Sequence, residues 1–389
     1  MTTRALAVLS AVSLTLVGCA GPVEQPLPQT SSASSPAPAA TMASEVTDRL
    51  DAAVEKVMGE AGVPGAIIGI WSPGGDYVRA FGVADKKART PMKTGLHSRI
   101  GSLTKTFTVT AVLQLADQGK LGLDDPIGAY LPDVPGGQDI TLRELAGMRS
   151  GLANYTGSPQ FQQALFADPR RSFTPQELLG YAFAEPVEFA PGQGVHYSNT
   201  NTVLLGLVVQ QVSGRPLGEY IGRHILEPLD LSHTSFPLGS DFPDPHAEGY
   251  TAQTPDGGET TATDWNPSWA WAAGAMVSTL DDLRIWTPAL ATGELLSRQM
   301  HEERLQTVGL PGQSPPDGYG LGLFDVGGWV GHNGSLPGYQ SVAVYLPAEQ
   351  TTLVILLNTD IRFEDADPGT LLATAITTEL TPGHVYSLG

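Results

Sequence analysis

The chain has 389 residues, more than a minimal domain and enough for a large core or two lobes. Its composition, 41% hydrophobic and 16% charged, is that of a globular protein. A net charge of -19 leaves no basic patch to neutralise phosphates, which excludes electrostatic binding to nucleic acid and to anionic membrane surfaces.

At the N-terminus, Arg4 precedes an apolar run over 5–17, the shape of a secretory signal and too short to span a bilayer as a helix. The run ends in Leu16-Val17-Gly18-Cys19, which resembles a bacterial lipobox. That resemblance implies cleavage before Cys19, lipidation of Cys19 and attachment to the outer face of the bacterial cell membrane; the alternative is a cleaved signal peptide with an incidental cysteine. Cys19 is the sole cysteine, so no internal disulfide can form. The Pro/Ser/Ala-rich segment 19–44 reads as a disordered tether, and 45–385 as the folded domain.

Within that domain, Leu50, Val54, Val57 and Met58 recur at helical spacing over 46–61, stopped by Gly62 and Pro64. Strand-like runs at 66–71 and 77–83 flank a hairpin signal. A helix opens at Ser102 and ends at Gly119. Helices and long loops follow to 264, with helices expected over 174–184, 201–212 and 216–226. Strand character returns at 329–332, 340–345 and 352–357, and a helix over 368–380 closes the chain. The expected arrangement is one antiparallel sheet built from 45–100 and 265–385, with a mostly helical lobe over 101–264 inserted between. The Ser102 helix sits at the seam of the two, where binding clefts commonly lie.

Ser102 and Lys105 are three residues apart, so on a helix the amine reaches the hydroxyl. Phe107, Val109, Val112, Leu113, Leu115 and Ala116 surround the helical wheel, which predicts a buried helix and a desolvated lysine. Burial lowers an amine pKa, so Lys105 can take the serine proton. Other chemistries lack their motifs. No lysine closes a Gly-rich phosphate loop, no serine has glycine at both minus two and plus two, and His301-Glu302-Glu303 lacks the second histidine of a zinc helix. The last of these reads as a solvated helix face.

Two further stretches join Ser102-x-x-Lys105: His196-Tyr197-Ser198-Asn199, preceded by Phe189-Ala-Pro-Gly192, and Gly331-His332-Asn333-Gly334-Ser335. Together they resemble the three motifs of the serine β-lactamase and penicillin-recognising DD-peptidase superfamily. Tyr-x-Asn points to the branch of class C β-lactamases, DD-carboxypeptidases, D-aminopeptidases and related esterases. Leu121 to Pro126, Ile140 to Leu145, Ser150-Gly-Leu152, Leu204-Leu-Gly206, Gly274 to Ser278 and Tyr319 to Gly322 extend the resemblance in order over about 46–380. It implies an α+β, β-lactamase/transpeptidase-like fold, with an antiparallel sheet flanked by helices and an inserted helical lobe.

The resemblance implies that Ser102 becomes acylated while Lys105 or Tyr197 acts as the base, a choice the residues leave open. Asn199 would bond Lys105 and a substrate amide. Gly334 would let the substrate backbone approach, and the N–H groups of Ser102 and Ser335 would form the oxyanion hole. His332 stands where β-lactamases carry lysine; titrating near neutrality, it would help hold a substrate carboxylate at low pH. Two departures stand out: Met148-Arg149 where many relatives have a histidine and a small residue, and Asn333 in place of a hydroxyl residue. Trp265, Trp269 and Trp271 read as a packed loop or a cleft rim.

The expected activity is that of an extracytoplasmic serine hydrolase without metal or organic cofactor, acting on a small peptide, ester or β-lactam. D-alanyl-D-alanine carboxypeptidase or D-amino-acid peptidase activity comes first, then carboxylesterase or β-lactamase. The reading from another class is a non-catalytic cell-wall or ligand-binding lipoprotein. Specificity is expected in the loops 155–171 and 250–271.

Overall fold

The computed structural model describes residues 41–309 and 317–388. The expected leader, Cys19 and the expected tether up to residue 40 lie outside the described residues; the last four residues of the expected tether, 41–44, are ordered, because Met42 is buried in the core, its N–H donates to the Asp76 carbonyl at 3.2 Å and α1 begins at Ser44.

Helix α1, Ser44–Ala61, buries Leu50, Val54 and Met58, and stops where Gly62 takes the left-handed conformation (φ 66) and bonds back to the Met58 carbonyl. The hairpin of β1 (Gly65–Ser72) and β2 (Gly75–Asp85) follows, then the short β3 (Thr90–Pro91) and β4 (Ser98–Arg99). Next come α2 (Thr104–Asp117), α3 (Leu142–Ala146), α4 (Pro159–Ala167), α5 (Pro175–Phe183), α6 (Asn199–Ser213) and α7 (Leu217–Ile221). Short strands β5 (Tyr250–Thr251), β6 (Thr260–Thr261) and β7 (Val277–Ser278) lead to α8 (Leu280–Thr292) and α9 (Arg298–Arg304). The chain then returns through β8 (Gly318–Tyr319), β9 (Phe324–Val326), β10 (Trp329–Leu336), β11 (Tyr339–Leu346) and β12 (Thr351–Leu357) to α10 (Pro368–Leu380).

Among the described residues one antiparallel sheet has eight strands in the order β3-β2-β1-β12-β11-β10-β9-β8, so the two ends of the sequence do share it. Its centre is covered on both faces, which is why β1 and β12 read as continuous apolar runs rather than alternating ones. Ile68, Ile70, Leu353 and Ile355 face α1 and α10 in one core. Ile67, Val354 and Leu356 belong to the other core with α2, α8 and the helical region.

Several expected elements are adjusted. The strand expected over 329–332 runs on to Leu336, because Gly334 and Ser335 stay paired with β11. The helix expected over 216–226 breaks into α7 and a π-turn, Gly222–Leu226. Helix α8 was not anticipated: Pro288 inside it argues against a helix, yet the Thr279 cap and the buried Leu283, Trp286 and Leu290 hold it. On α9, Glu302 is exposed as expected of a solvated face, but Glu303 pairs with Arg143 at 2.8 Å and Arg304 is buried.

Candidate active site

The expected α-helix at Ser102 begins two residues later than the sequence indicates. Ser102 lies on a 3-10 turn, Gly101–Leu103, and α2 starts at Thr104. Every α2 residue from Thr104 to Leu115 is buried, as the apolar wheel requires. Phe107 stacks on Trp286 with ring centroids 4.1 Å apart, which fixes the helix against α8. The turn itself is strapped to neighbouring segments: β4 pairs with β7, the Ile100 N–H donates to the Met276 carbonyl at 3.0 Å, and Ser341 Oγ donates to the Ile100 carbonyl at 2.8 Å.

Lys105 is fully buried, and its amine has three partners: Ser102 Oγ at 2.9 Å, Asn199 Oδ1 at 2.7 Å and the Ala273 carbonyl at 2.8 Å. Two of these are carbonyl oxygens that can only accept. A neutral amine has two N–H groups and one lone pair, so donating to both carbonyls leaves the lone pair on the Ser102 hydroxyl. Burial pushes the Lys105 pKa well below its ordinary value, which favours that neutral form. The arrangement can therefore accept the serine proton and, once protonated, donate to all three partners.

Tyr197 moves the opposite way. Burial raises its pKa well above the ordinary phenol value, with the nearby Ser102 hydroxyl opposing weakly. Its Oη is buried and makes no hydrogen bond of ordinary geometry, although it faces Ser102. The ring is held by Phe324, Tyr319 and His332, at centroid distances of 6.2, 5.9 and 6.0 Å, and the Lys105 nitrogen lies 4.8 Å from its centre.

The second motif is positioned by α6 and the loop before α4. Asn199 opens α6, and its N–H donates to Asn154 Oδ1 at 3.2 Å. Ser150 Oγ donates to Asn201 Oδ1 at 2.6 Å, and Thr200 Oγ1 to the Ala153 carbonyl at 2.7 Å. The Met148 departure has a packing role. Met148 is buried with φ 60, and its sulfur accepts from the Ser198 N–H and Asn201 Nδ2, both at 3.5 Å.

The wall opposite is β10. Its two-residue turn, Pro337 and Gly338, closes on the Leu336–Tyr339 pair; by alternation the Ser335–Gln340 pair is not hydrogen-bonded, so the Ser335 N–H points away from β11 toward the Ser102 turn. A buried carboxylate holds that turn, with Asp360 Oδ1 accepting from the Gly338 N–H at 2.8 Å. Gly334 has a different role from the one expected. A Cβ there would lie 2.1 Å from the Ile100 oxygen and 2.9 Å from the Ser102 nitrogen, so the absent side chain lets the two protein backbones meet, not a substrate. Gly101 (φ 53) is complementary, since its Cβ would sit 2.7 Å from the Ser335 nitrogen. The N–H groups of Ser102 and Ser335 thus belong to two segments in direct backbone contact.

His332 overturns one expectation. It is 0% exposed, with Nδ1 donating to the Asn333 carbonyl at 2.5 Å and Tyr319 Oη donating to Nε2 at 3.3 Å. Burial, with Lys105 as the second cause, pushes its pKa down to about 3, so it does not titrate near neutrality. The sign follows: the unfolded histidine binds a proton below about pH 6.5 that the folded one refuses, so His332 makes stability fall as pH drops from about 6.5 toward 3. In a His332→Gln variant, urea unfolding between pH 4 and 8 is expected to lose up to about 1.4 kcal/mol per pH unit of that slope. An unchanged slope would show that His332 titrates normally.

Sequence reasoning missed the Ala273 carbonyl, Asn154 and Thr156, whose Oγ1 accepts from Asn199 Nδ2 at 3.4 Å, and named Tyr319 only within the extended resemblance. A backbone carbonyl carries no residue signal; the Gly274–Ser278 stretch beside it was the nearest pointer. Of the tryptophans, Trp269 packs 5.9 Å from Phe161 and Trp271 lies against Gly206, which makes them part of the helical packing.

The family model described as Beta-lactamase matches residues 50–376. The chain is similar to the D-stereospecific amidohydrolase of a Streptomyces species, at 31% identity and TM-score 0.76, covering 87% of this chain and 98% of that one. It is likewise similar to the D-amino acid amidase of Ochrobactrum anthropi SV3, complexed with L-phenylalanine amide, at 27% identity and TM-score 0.76 over 87% and 99% of the two chains. Penicillin-binding protein 4* of Bacillus subtilis (strain 168) is 29% identical over 75% of this chain and 68% of its own length. The chain spans about two thirds of the length of the first curated relatives it matches. With a family model covering most of the domain and relatives of the same architecture, the chain belongs to the Beta-lactamase family, in the β-lactamase/transpeptidase-like superfamily, and is a serine hydrolase.

Proposed function

We propose that the chain hydrolyses the amide bond on the carboxyl side of a D-amino acid through an acyl-Ser102 intermediate. The observation that carries the chemistry is the Lys105 amine, buried and 2.9 Å from Ser102 Oγ with its other two partners restricted to acceptors. Similarity to a D-stereospecific amidohydrolase and a D-amino acid amidase over 87% of the chain supports the substrate class.

In this reading Ser102 Oγ passes its proton to Lys105 Nζ and attacks the carbonyl carbon. The oxyanion forms against the Ser102 and Ser335 N–H groups. Lys105, directly or through the Tyr197 phenol, returns the proton to the leaving nitrogen; the C–N bond breaks and an ester remains on Ser102. Water then gives a proton to the amine and attacks that ester, which releases the acid and restores Ser102. The opposite pKa directions of Lys105 and Tyr197 favour the lysine as base and the tyrosine as a proton-bearing phenol. Export and lipid attachment at Cys19 belong to the same proposal, supported by the apolar run 5–17 and the lipobox-like Leu16-Val17-Gly18-Cys19.

The test is ammonia release from D- and L-phenylalanine amide. The D-amide is expected to be cleaved with a kcat/KM at least about 10-fold higher. Equal rates, or no release from either, would overturn the D-amide assignment.

A further inference from the structure

Arg99, on β4 and three residues before Ser102, is 2% exposed. Its Nη2 donates to the Ser240 and Thr263 carbonyls at 3.1 and 3.3 Å, and its guanidinium carbon sits 4.5 Å from the centre of the Phe242 ring. Nε and Nη1 are buried and have no hydrogen-bond partner among the described residues. A guanidinium stays protonated at any working pH, so these are donors on a full positive charge.

No carboxylate compensates that charge. Among the described residues Arg99 forms no ion pair, and Asp264, the carboxylate that acts on it from farther off, is exposed and pairs with Arg170 at 3.4 Å. Burial pushes the Arg99 pKa down, with Tyr339 and Asp264 opposing. Buried ions are ordinarily paired, because the water they lose has to be replaced by an opposite charge and by filled hydrogen bonds. Burial alone does not make a site: Arg304 is 1% exposed and also leaves its Nε without a partner. At Arg99 a cavity lies alongside.

That cavity is bounded by Arg99, the segment 262–269 and the β10–β11 turn, and at about 10 Å³ it has room for one water-sized guest. Trp265, Trp269, Leu336 and Pro337 make the wall largely apolar, and Arg99 is its only charged residue. The amide in the wall is committed, since Asn266 Nδ2 donates to Ser172 Oγ and its Oδ1 accepts from the Ser268 N–H, both at 3.0 Å.

We propose that a single halide ion, chloride in ordinary media, binds in this cavity as the counter-ion of Arg99. Water there would accept from an N–H group but leave the charge uncompensated; a halide does both. The space excludes sulfate, phosphate and the carboxylate of a whole amino acid. The net charge of -19 repels anions at long range, but salt screens exposed charges over about 8 Å, and contact with a buried guanidinium is hardly screened. Arg99 leads into the Ser102 turn and Leu336 follows Ser335, so the ion ties together the two segments whose N–H groups form the proposed oxyanion site. The site is independent of the D-amide reading.

The experiment is run on the full chain in two arms. In solution, thermal unfolding is followed while sodium gluconate is replaced by sodium chloride or bromide at constant ionic strength. Tm is expected to rise by at least about 2 °C and to saturate, and the rise is expected to vanish in Arg99→Met. Should Arg99→Met not fold, Ala262→Leu fills the cavity with Arg99 left in place and is expected to lose the response as well. In a crystal soaked in sodium bromide, an anomalous peak is expected beside the Arg99 guanidinium. No peak there, or bromide only elsewhere on the molecule, would overturn the inference. So would a peak without a saturable response in solution, which would mean binding at crystal concentration only, or a response that both variants retain. Hydrolysis of D-phenylalanine amide enters neither arm, so the two readings fail separately.

Discussion

Replacing Ser102 with alanine is expected to lower turnover by at least about 10⁴-fold and to abolish labelling by a fluorophosphonate, read as the loss of a single mass adduct. In the acyl-Ser102 proposal the effect is large because the hydroxyl is the atom that bonds to the acyl group, and the remaining N–H donors could only assist attack by water. The fold should be little altered. Ser102 is half-buried and its Oγ is bonded by Lys105 alone, so stability is expected to change by no more than about 1 kcal/mol. An adduct or undiminished turnover in the Ser102→Ala protein would remove Ser102 from the nucleophile role.

Lys105 carries the second large effect. Lys105→Met keeps the length of the side chain and discards the proposed base, and is expected to cost about 10³-fold or more in kcat/KM. Lys105→Arg should not rescue it, because a guanidinium stays protonated at any working pH and has no lone pair for the serine proton. In the wild type, kcat/KM is expected to rise with pH as the amine deprotonates, at an apparent pKa below the ordinary lysine value; this limb should vanish in both variants. Stability follows the same sign. The unfolded lysine holds its proton up to about pH 10.4 and the folded one releases it earlier, so in that window stability rises with pH in the wild type and less in Lys105→Met. An activity limb that survives Lys105→Met would transfer the base role to Tyr197.

Legibility differed by element. The strands at 66–71 and 352–357 and the helices at 46–61 and 368–380 could be read because their apolar spacing reports local geometry directly. Helix α8 could not: Pro288 contradicts it locally, and burial of Leu283, Trp286 and Leu290 against the sheet overrides that preference. Ser102, Lys105, Tyr197 and Asn199 were named from their motifs, and α2 and α6 bring Lys105 to both Ser102 and Asn199 across 94 positions of sequence. Gly334 was named for the wrong reason, because its neighbours Ile100 and Ser341 are remote in the chain and supply the close contact.

By itself, the sequence determined which chemical groups are present, their spacing on helix and strand, the antiparallel architecture and the family. These depend on residue type and short-range periodicity. Only the tertiary structure decided the protonation behaviour. Lys105 and His332 both lie at zero exposure, and a pKa depends on solvent access and on the partners that folding brings near. A histidine that reads as a switch near neutral pH is thereby made a neutral wall. An ordinary lysine becomes an amine with one lone pair facing one serine, because the Ala273 carbonyl and Asn199, both far along the chain, occupy its other two positions.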